Sequence, residues 1–127
     1  MPSPNKKILI IEDDKFLAKM LIRTLESHGY EIVVASNGKE GLMKASQGDA
    51  DLILLDIMLP DIDGFDLLET IKKDDKAKKT PVIIMSNLGQ PEDIQQGRSL
   101  GAVDYLVKSD LSLDEVVEKV RKRLTNK

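Results

Sequence analysis

The run Leu52-Ile53-Leu54-Leu55-Asp56 decides the fold: four consecutive apolar residues stop at an aspartate, with nothing polar between them. A half-exposed strand alternates apolar and polar residues, so an unbroken short run reads as a strand buried on both faces. Three more runs share this character: Ile8–Ile11, Val82–Met85 and Val103–Val107, the last interrupted by Asp104-Tyr105. A fifth, Glu31–Ala35, is more mixed.

Segments of helical period lie between them. Phe16, Leu17, Met20, Leu21 and Leu25 mark the apolar stripe of a first helix, closed at Gly29. Asn37 with Glu40 has the pattern of a capping box that opens a second helix, ending near Gly48. Phe65, Leu68 and Ile71 mark a third. Ser112 with Glu115 opens a fifth, whose stripe is Leu113, Val116, Val117, Val120 and Leu124. The fourth segment, Pro91 to Leu100, has Pro91 at a first helical position and Glu92-Asp93 in the first turn. Its apolar anchors are chiefly Ile94 and Leu100, and it contains Gly97, so packing is expected to hold it weakly. Strand and helix thus alternate five times. That order predicts an α/β fold, a doubly wound five-stranded parallel sheet of flavodoxin-like (βα)5 form, with helices on both faces.

In an open parallel sheet all strand C-termini share one edge, and ligands bind there. Along the chain the first run ends in Glu12-Asp13-Asp14, the third in Asp56, the fourth in Ser86 and the fifth in Lys108. The topology therefore gathers distant residues into one site. Glu12, Asp13 and Asp56 together repel one another and need a counter-ion or a retained proton. Oxygen donors without histidine or cysteine favour a hard cation, magnesium above all. Lys108 adds a compact positive charge that binds phosphate. Three carboxylates, one divalent cation and one lysine come to zero net charge, which suits an incoming phosphoryl group. Phosphoryl transfer depends mainly on positioning and on neutralising the moving oxygens. Metal and Lys108 would neutralise, Ser86 would donate a hydroxyl, and an aspartate would be the nucleophile. Asp56 is the better nucleophile because it stands alone after the most buried strand, whereas Glu12 and Asp13 look like a metal-holding pair. Each residue by itself fits an ordinary solvated loop, but the joint pattern at strand ends outweighs that reading.

The bulk composition narrows the classes. With 127 residues the chain fits one compact domain, expected to span 1–127 with its core at about 6–124. A net charge of −3 carries no broad basic stripe, so no nucleic-acid partner is expected. The cluster Arg121-Lys122-Arg123 suits a helix C-terminus instead. The absence of cysteine excludes disulfides and thiolate metal sites, and the single His28, just before Gly29, reads as structural. Met1 to Lys7 is polar, and no apolar stretch is long enough to span a bilayer, so a cytoplasmic protein without a membrane partner is expected.

Four stretches carry a resemblance: Ile8-Leu-Ile-Ile-Glu-Asp-Asp14, Leu54-Leu-Asp-Ile-Met-Leu-Pro-Asp-Ile-Asp-Gly64, Pro81-Val-Ile-Ile-Met-Ser86 and Gly101-Ala-Val-Asp-Tyr-Leu-Val-Lys108. From about Lys6 to Leu124 the sequence resembles the receiver domains of response regulators, in the manner of single-domain, chemotaxis-regulator-like members of two-component systems. The resemblance implies that Asp56 is the phosphoacceptor and that Glu12, Asp13, Asp56 and the backbone carbonyl of Met58 hold Mg2+. It implies that Ser86 turns toward the phosphoryl group, that Lys108 pairs with it, and that Tyr105 is the aromatic switch residue. A histidine kinase or phosphotransfer protein would act upstream. A protein target would dock downstream on the fourth helix, fifth strand and fifth helix.

Four positions depart from the family pattern or vary within it. Ser109 follows Lys108 where the family has a proline in a cis peptide. A cis bond without proline costs about 2.5–4 kcal/mol, so a trans bond and an altered presentation of Lys108 are expected. Asn87 replaces a small residue beside Ser86. Met58 and Leu88, both apolar, flank the phosphoryl position and cannot orient an attacking water, which predicts a long-lived phosphoryl state. The chain stops at Lys127 without a linker. A single-domain regulator is therefore expected, the alternative being the receiver portion of a longer regulator with an output domain. A phosphorylation-independent pseudo-receiver is a second alternative, opposed by the retained Glu12, Asp13, Asp56, Ser86 and Lys108. A phosphatase of the haloacid-dehalogenase type would want an aspartate where Met58 stands, and neither GxGxxG nor GxxxxGK[ST] occurs. The protein is thus expected to be a signalling switch rather than an enzyme acting on other substrates.

Overall fold

The computed structural model describes residues 6–125; the expectations for the first five residues and the last two lie outside them. Five strands alternate with five helices: β1 (Lys7–Ile11), α1 (Lys15–Glu26), β2 (Glu31–Ala35), α2 (Gly38–Ala45), β3 (Leu52–Asp56), α3 (Gly64–Lys73), β4 (Val82–Ser86), α4 (Pro91–Ser99), β5 (Asp104–Val107) and α5 (Leu113–Thr125). All strand pairs are parallel, in the order β2-β1-β3-β4-β5. This is the doubly wound sheet that the alternation predicts. Among the described residues no helix is long and apolar enough to cross a membrane.

The unbroken apolar runs have a simple cause. Successive side chains of a strand point to opposite faces, and here each face carries a helical layer. Ile8, Ile10, Leu52 and Leu54 pack with Leu21 and Leu25 of α1 and with Val116, Val117 and Val120 of α5. Leu9, Ile11, Ile53 and Leu55 pack on the other side with Phe65, Leu68 and Ile71 of α3. The edge strand β2 is only partly covered, which explains its mixed composition.

Local chemistry fixes the helix ends. Asp14 caps α1 by accepting from the N–H groups of Phe16 (3.0 Å) and Leu17 (3.1 Å). Gly29, with φ +93°, provides the left-handed residue that ends α1. Ser112 caps α5 through Glu115 N–H at 3.1 Å, as expected.

The structure corrects three readings and adds to a fourth. Phe16 and Met20 are not core residues of α1: Phe16 is 74% exposed and Met20 also faces solvent, while Ala18, Leu21 and Leu25 are buried. Asn37 does cap α2, but the Glu40 carboxylate accepts from Ser36 N–H rather than Asn37, so the box is not reciprocal. The fifth strand begins at Asp104 rather than Val103. Gly97 is a packing residue as much as a weakness. It is the buried residue of α4, and a Cβ there would stand 2.6 Å from Ile84 Cδ1 and 3.0 Å from the Tyr105 ring. A side chain there would force the Ile84 methyl and the Tyr105 ring to move.

Candidate functional site

Strand register builds the site. Ile11 lies opposite Leu55, so the next residues, Glu12 and Asp56, emerge side by side at the C-terminal edge. Ser86 lies opposite Val107, one step before Lys108. Glu12, Asp56 and Ser86 are buried, whereas Asp13 is exposed at the rim. One carboxylate oxygen from each of Glu12, Asp13 and Asp56 lies within 4.8 Å of the others.

Lys108 closes the cluster. Its peptide to Ser109 is trans, and a short 3₁₀ turn, Lys108–Asp110, carries the chain away from β5. The ammonium still reaches the acids: Nζ donates to Asp56 Oδ2 at 3.1 Å and lies 2.8 Å from Glu12 Oε1. The approach to Glu12 is an ion pair off the line of a hydrogen bond, so Oε1 is a buried oxygen without a hydrogen-bond donor. Glu12 Oε2 accepts from Asp14 N–H at 3.1 Å, and Met58 N–H donates to Asp56 Oδ1 at 3.1 Å.

The electrostatics follow from burial. Desolvation raises the Glu12 pKa to about 7, against the Lys108 ammonium, which lowers it, while the Asp56 carboxylate adds to the rise. Burial alone would lower the Lys108 pKa, but Glu12 and Asp56 outweigh it and hold the ammonium above its ordinary value. The cluster therefore carries more negative charge than Lys108 balances. An all-oxygen donor set, a buried oxygen lacking a donor and a raised carboxyl pKa together fit a hard divalent cation. The residues present could hold a metal.

The hydroxyl side of the site is joined through one residue that sequence reasoning did not single out for this role. Ser86 Oγ accepts from Leu88 N–H at 3.1 Å, and Tyr105 Oη donates to the Leu88 carbonyl at 2.5 Å. Burial raises the Tyr105 hydroxyl pKa, opposed by the Ser86 side chain. Tyr105 is buried against Gly97 of α4, so both expected switch residues meet the same backbone segment. Backbone partners leave no signature in side-chain identity, and Leu88 gives none. Asn87 is exposed. Met58 and Leu88 line an open cleft together with Asp13.

The response regulator receiver domain profile matches residues 8–121. The chain belongs to the response regulator receiver family. The receiver is similar, at 38% identity over 115 residues, to the DNA-binding dual master transcriptional regulator RpaA of Synechocystis sp., covering 91% of this chain and 47% of RpaA. It is 39% identical to the transcriptional regulatory protein CusR of Escherichia coli, over 91% of this chain and 49% of that protein. The chain spans about half the length of the curated relatives it matches. Among solved structures, the chemotaxis protein CheY4 of Vibrio cholerae superposes with a TM-score of 0.88 at 28% identity, covering 95% of this chain and 100% of that one. The Francisella response regulator 1452 receiver domain gives the same TM-score of 0.88 at 36% identity, covering 95% and 98%. Receivers are signalling domains of two-component phosphorelays.

Proposed function

We propose that this receiver accepts one phosphoryl group on Asp56, with Mg2+, and signals by contact with another protein. One observation carries the reading: the Lys108 ammonium stands 3.1 Å from Asp56 Oδ2 and 2.8 Å from Glu12 Oε1 within a buried acidic recess. Asp56 attacks the phosphorus of a phosphohistidine on the donor, the P–N bond breaks, and the imidazole keeps the electron pair. Glu12, Asp13, Asp56 and the Met58 carbonyl would hold Mg2+, and the ion would supply positive charge to neutralise the phosphoryl oxygens. Lys108 orients Asp56 before transfer and pairs with a phosphoryl oxygen after it. Ser86 Oγ accepts from Leu88, which leaves its own proton to donate to the phosphoryl group.

That donation pulls on the residue whose carbonyl holds Tyr105. The acceptor is thereby linked to α4, β5 and α5, the face on which a protein target docks. Phosphorylation shifts a population between two arrangements of this face and makes no new fold. The segment itself contacts protein rather than nucleic acid, and it works in the cytoplasm; the DNA binding in the name of RpaA belongs to that protein.

The acceptor is tested by treating the protein with acetyl phosphate, reducing the acyl phosphate with borohydride and sequencing the peptides. Conversion of residue 56 to homoserine is expected, and conversion at another acid would contradict the assignment. Met58 and Leu88 make the phosphoryl state long-lived because neither orients water. Met58→Asn should speed the decay of the phosphorylated mass; unchanged decay removes that part of the proposal.

A further inference from the structure

The loop from Ile57 to Gly64 carries the backbone of Met58 past Asp56, and it is pinned from outside. Asp61 reaches the N-terminus of α2, where Oδ1 accepts from Gly38 N–H at 2.7 Å and Oδ2 from Lys39 N–H at 3.0 Å. These are first-turn donors that helical hydrogen bonding leaves without partners. The helix already has a cap of its own in Asn37, which takes Glu40 N–H at 2.8 Å. A second acid brought from 23 residues away therefore serves the loop more than the helix.

Two glycines show how tightly the loop is seated. A Cβ on Gly38 would stand 1.9 Å from Ile62 Cγ2, so the Ile62 side chain packs on the helix end as it does because residue 38 has no side chain. At the far end, a Cβ on Gly64 would stand 2.3 Å from Ile57 Cα, and Gly64 N–H donates to the Ile57 carbonyl at 2.8 Å. Between these pins Met58 bridges Asp63, and its N–H holds Asp56 Oδ1. The backbone donors also keep the Asp61 carboxyl below its ordinary pKa, so it stays ionised in the clamp.

We propose that Asp61 is a positioning residue for the cation site: it clamps the 57–64 loop to the end of α2, so that the Met58 carbonyl meets a metal held beside Asp56. The inference rests on the reading of Glu12, Asp13, Asp56 and the Met58 carbonyl as the magnesium holders. It makes α2, which contributes no ligand, a determinant of metal affinity.

The test is calorimetric titration of the unphosphorylated protein with Mg2+, with urea unfolding in parallel. The variants are Asp61→Ala, Asp61→Asn, Gly38→Ala and Asn37→Ala. Outer partners that orient metal ligands typically change affinity by about tenfold or more, and a loss of about tenfold is expected for Asp61→Ala and Gly38→Ala. Asp61→Asn keeps one acceptor oxygen and should fall between these and wild type. Asn37→Ala also strips a cap from α2 but leaves the clamp, so it should lower stability and keep affinity within about twofold. If Asp61→Ala does not fold, Gly38→Ala and Asp61→Asn carry the comparison. Wild-type affinity in the clamp variants, or an equal loss in Asn37→Ala, would overturn the proposal. No binding to wild type would instead sink the metal reading, and the clamp with it.

Discussion

Two clusters of one lysine and two acids stand at opposite ends of the same sheet. At the N-terminal edge Lys7 opens β1, with Asp49 Oδ2 at 2.8 Å and Glu31 Oε2 at 3.7 Å. At the C-terminal edge Lys108 follows β5, with Glu12 at 2.8 Å and Asp56 at 3.1 Å. Residue types and distances are alike, but solvent is not. The side chains of Lys7, Glu31 and Asp49 are 24%, 56% and 54% exposed, and those of Lys108, Glu12 and Asp56 are 16%, 0% and 5%. Water screens the first cluster and leaves its pairs worth little. The second has lost that water, so its excess negative charge becomes a demand for a cation or a proton. The chemistry comes from where the charges are held, since the residues themselves are nearly the same.

The comparison can be broken first by removing each lysine in metal-free buffer at pH 8. Lys108→Met leaves two buried carboxylates facing each other, and breaking such a buried pair should cost about 4 kcal/mol. Lys7→Met should leave the urea midpoint close to wild type, and its small shift should fade with added salt. Equal losses in the two variants would mean that burial does not separate the clusters.

A smaller effect comes from pH. The folded Glu12 pKa lies at about 7, above the ordinary carboxylate value of 4.5. Between these values the native state keeps a proton that the unfolded chain has released. This contribution is present in full below pH 4.5 and is lost as pH rises through about 7. Metal-free stability should therefore fall across this window, by at most about 3 kcal/mol from this group. Mg2+, which takes the ionised carboxylate, should bind more tightly at pH 8 than at pH 6 and offset the fall. Glu12→Gln should flatten both trends in urea and calorimetric titrations. A slope that survives this substitution would place the titration elsewhere.

Much of this was legible in the sequence, for identifiable reasons. β1, β3 and β4 are apolar on both faces because helices cover both, and such runs stand out without an alignment. Glu12, Asp56, Ser86 and Lys108 were legible because a parallel sheet brings its strand ends to one edge. Phe16 was misread because period marks a face of α1 but cannot say where along the helix the covering layer stops. Glu40 was misread because a carboxylate with a capping pattern can choose between neighbouring N–H groups. The linking role of Leu88 and the capping role of Asp61 were invisible for a different reason. Leu88 acts through its backbone, and Asp61 caps a helix 23 residues earlier in the chain, where no local pattern signals it.

The central claim is that the buried cluster is a magnesium-dependent phosphoacceptor, and intact-mass spectrometry after acetyl phosphate treatment tests it most directly. Wild type and Asp56→Ala are compared with Mg2+ and with EDTA. One added phosphoryl group, on wild type and only with Mg2+, is the predicted result. An adduct on Asp56→Ala, an adduct in EDTA, or none on wild type with Mg2+ would contradict the account.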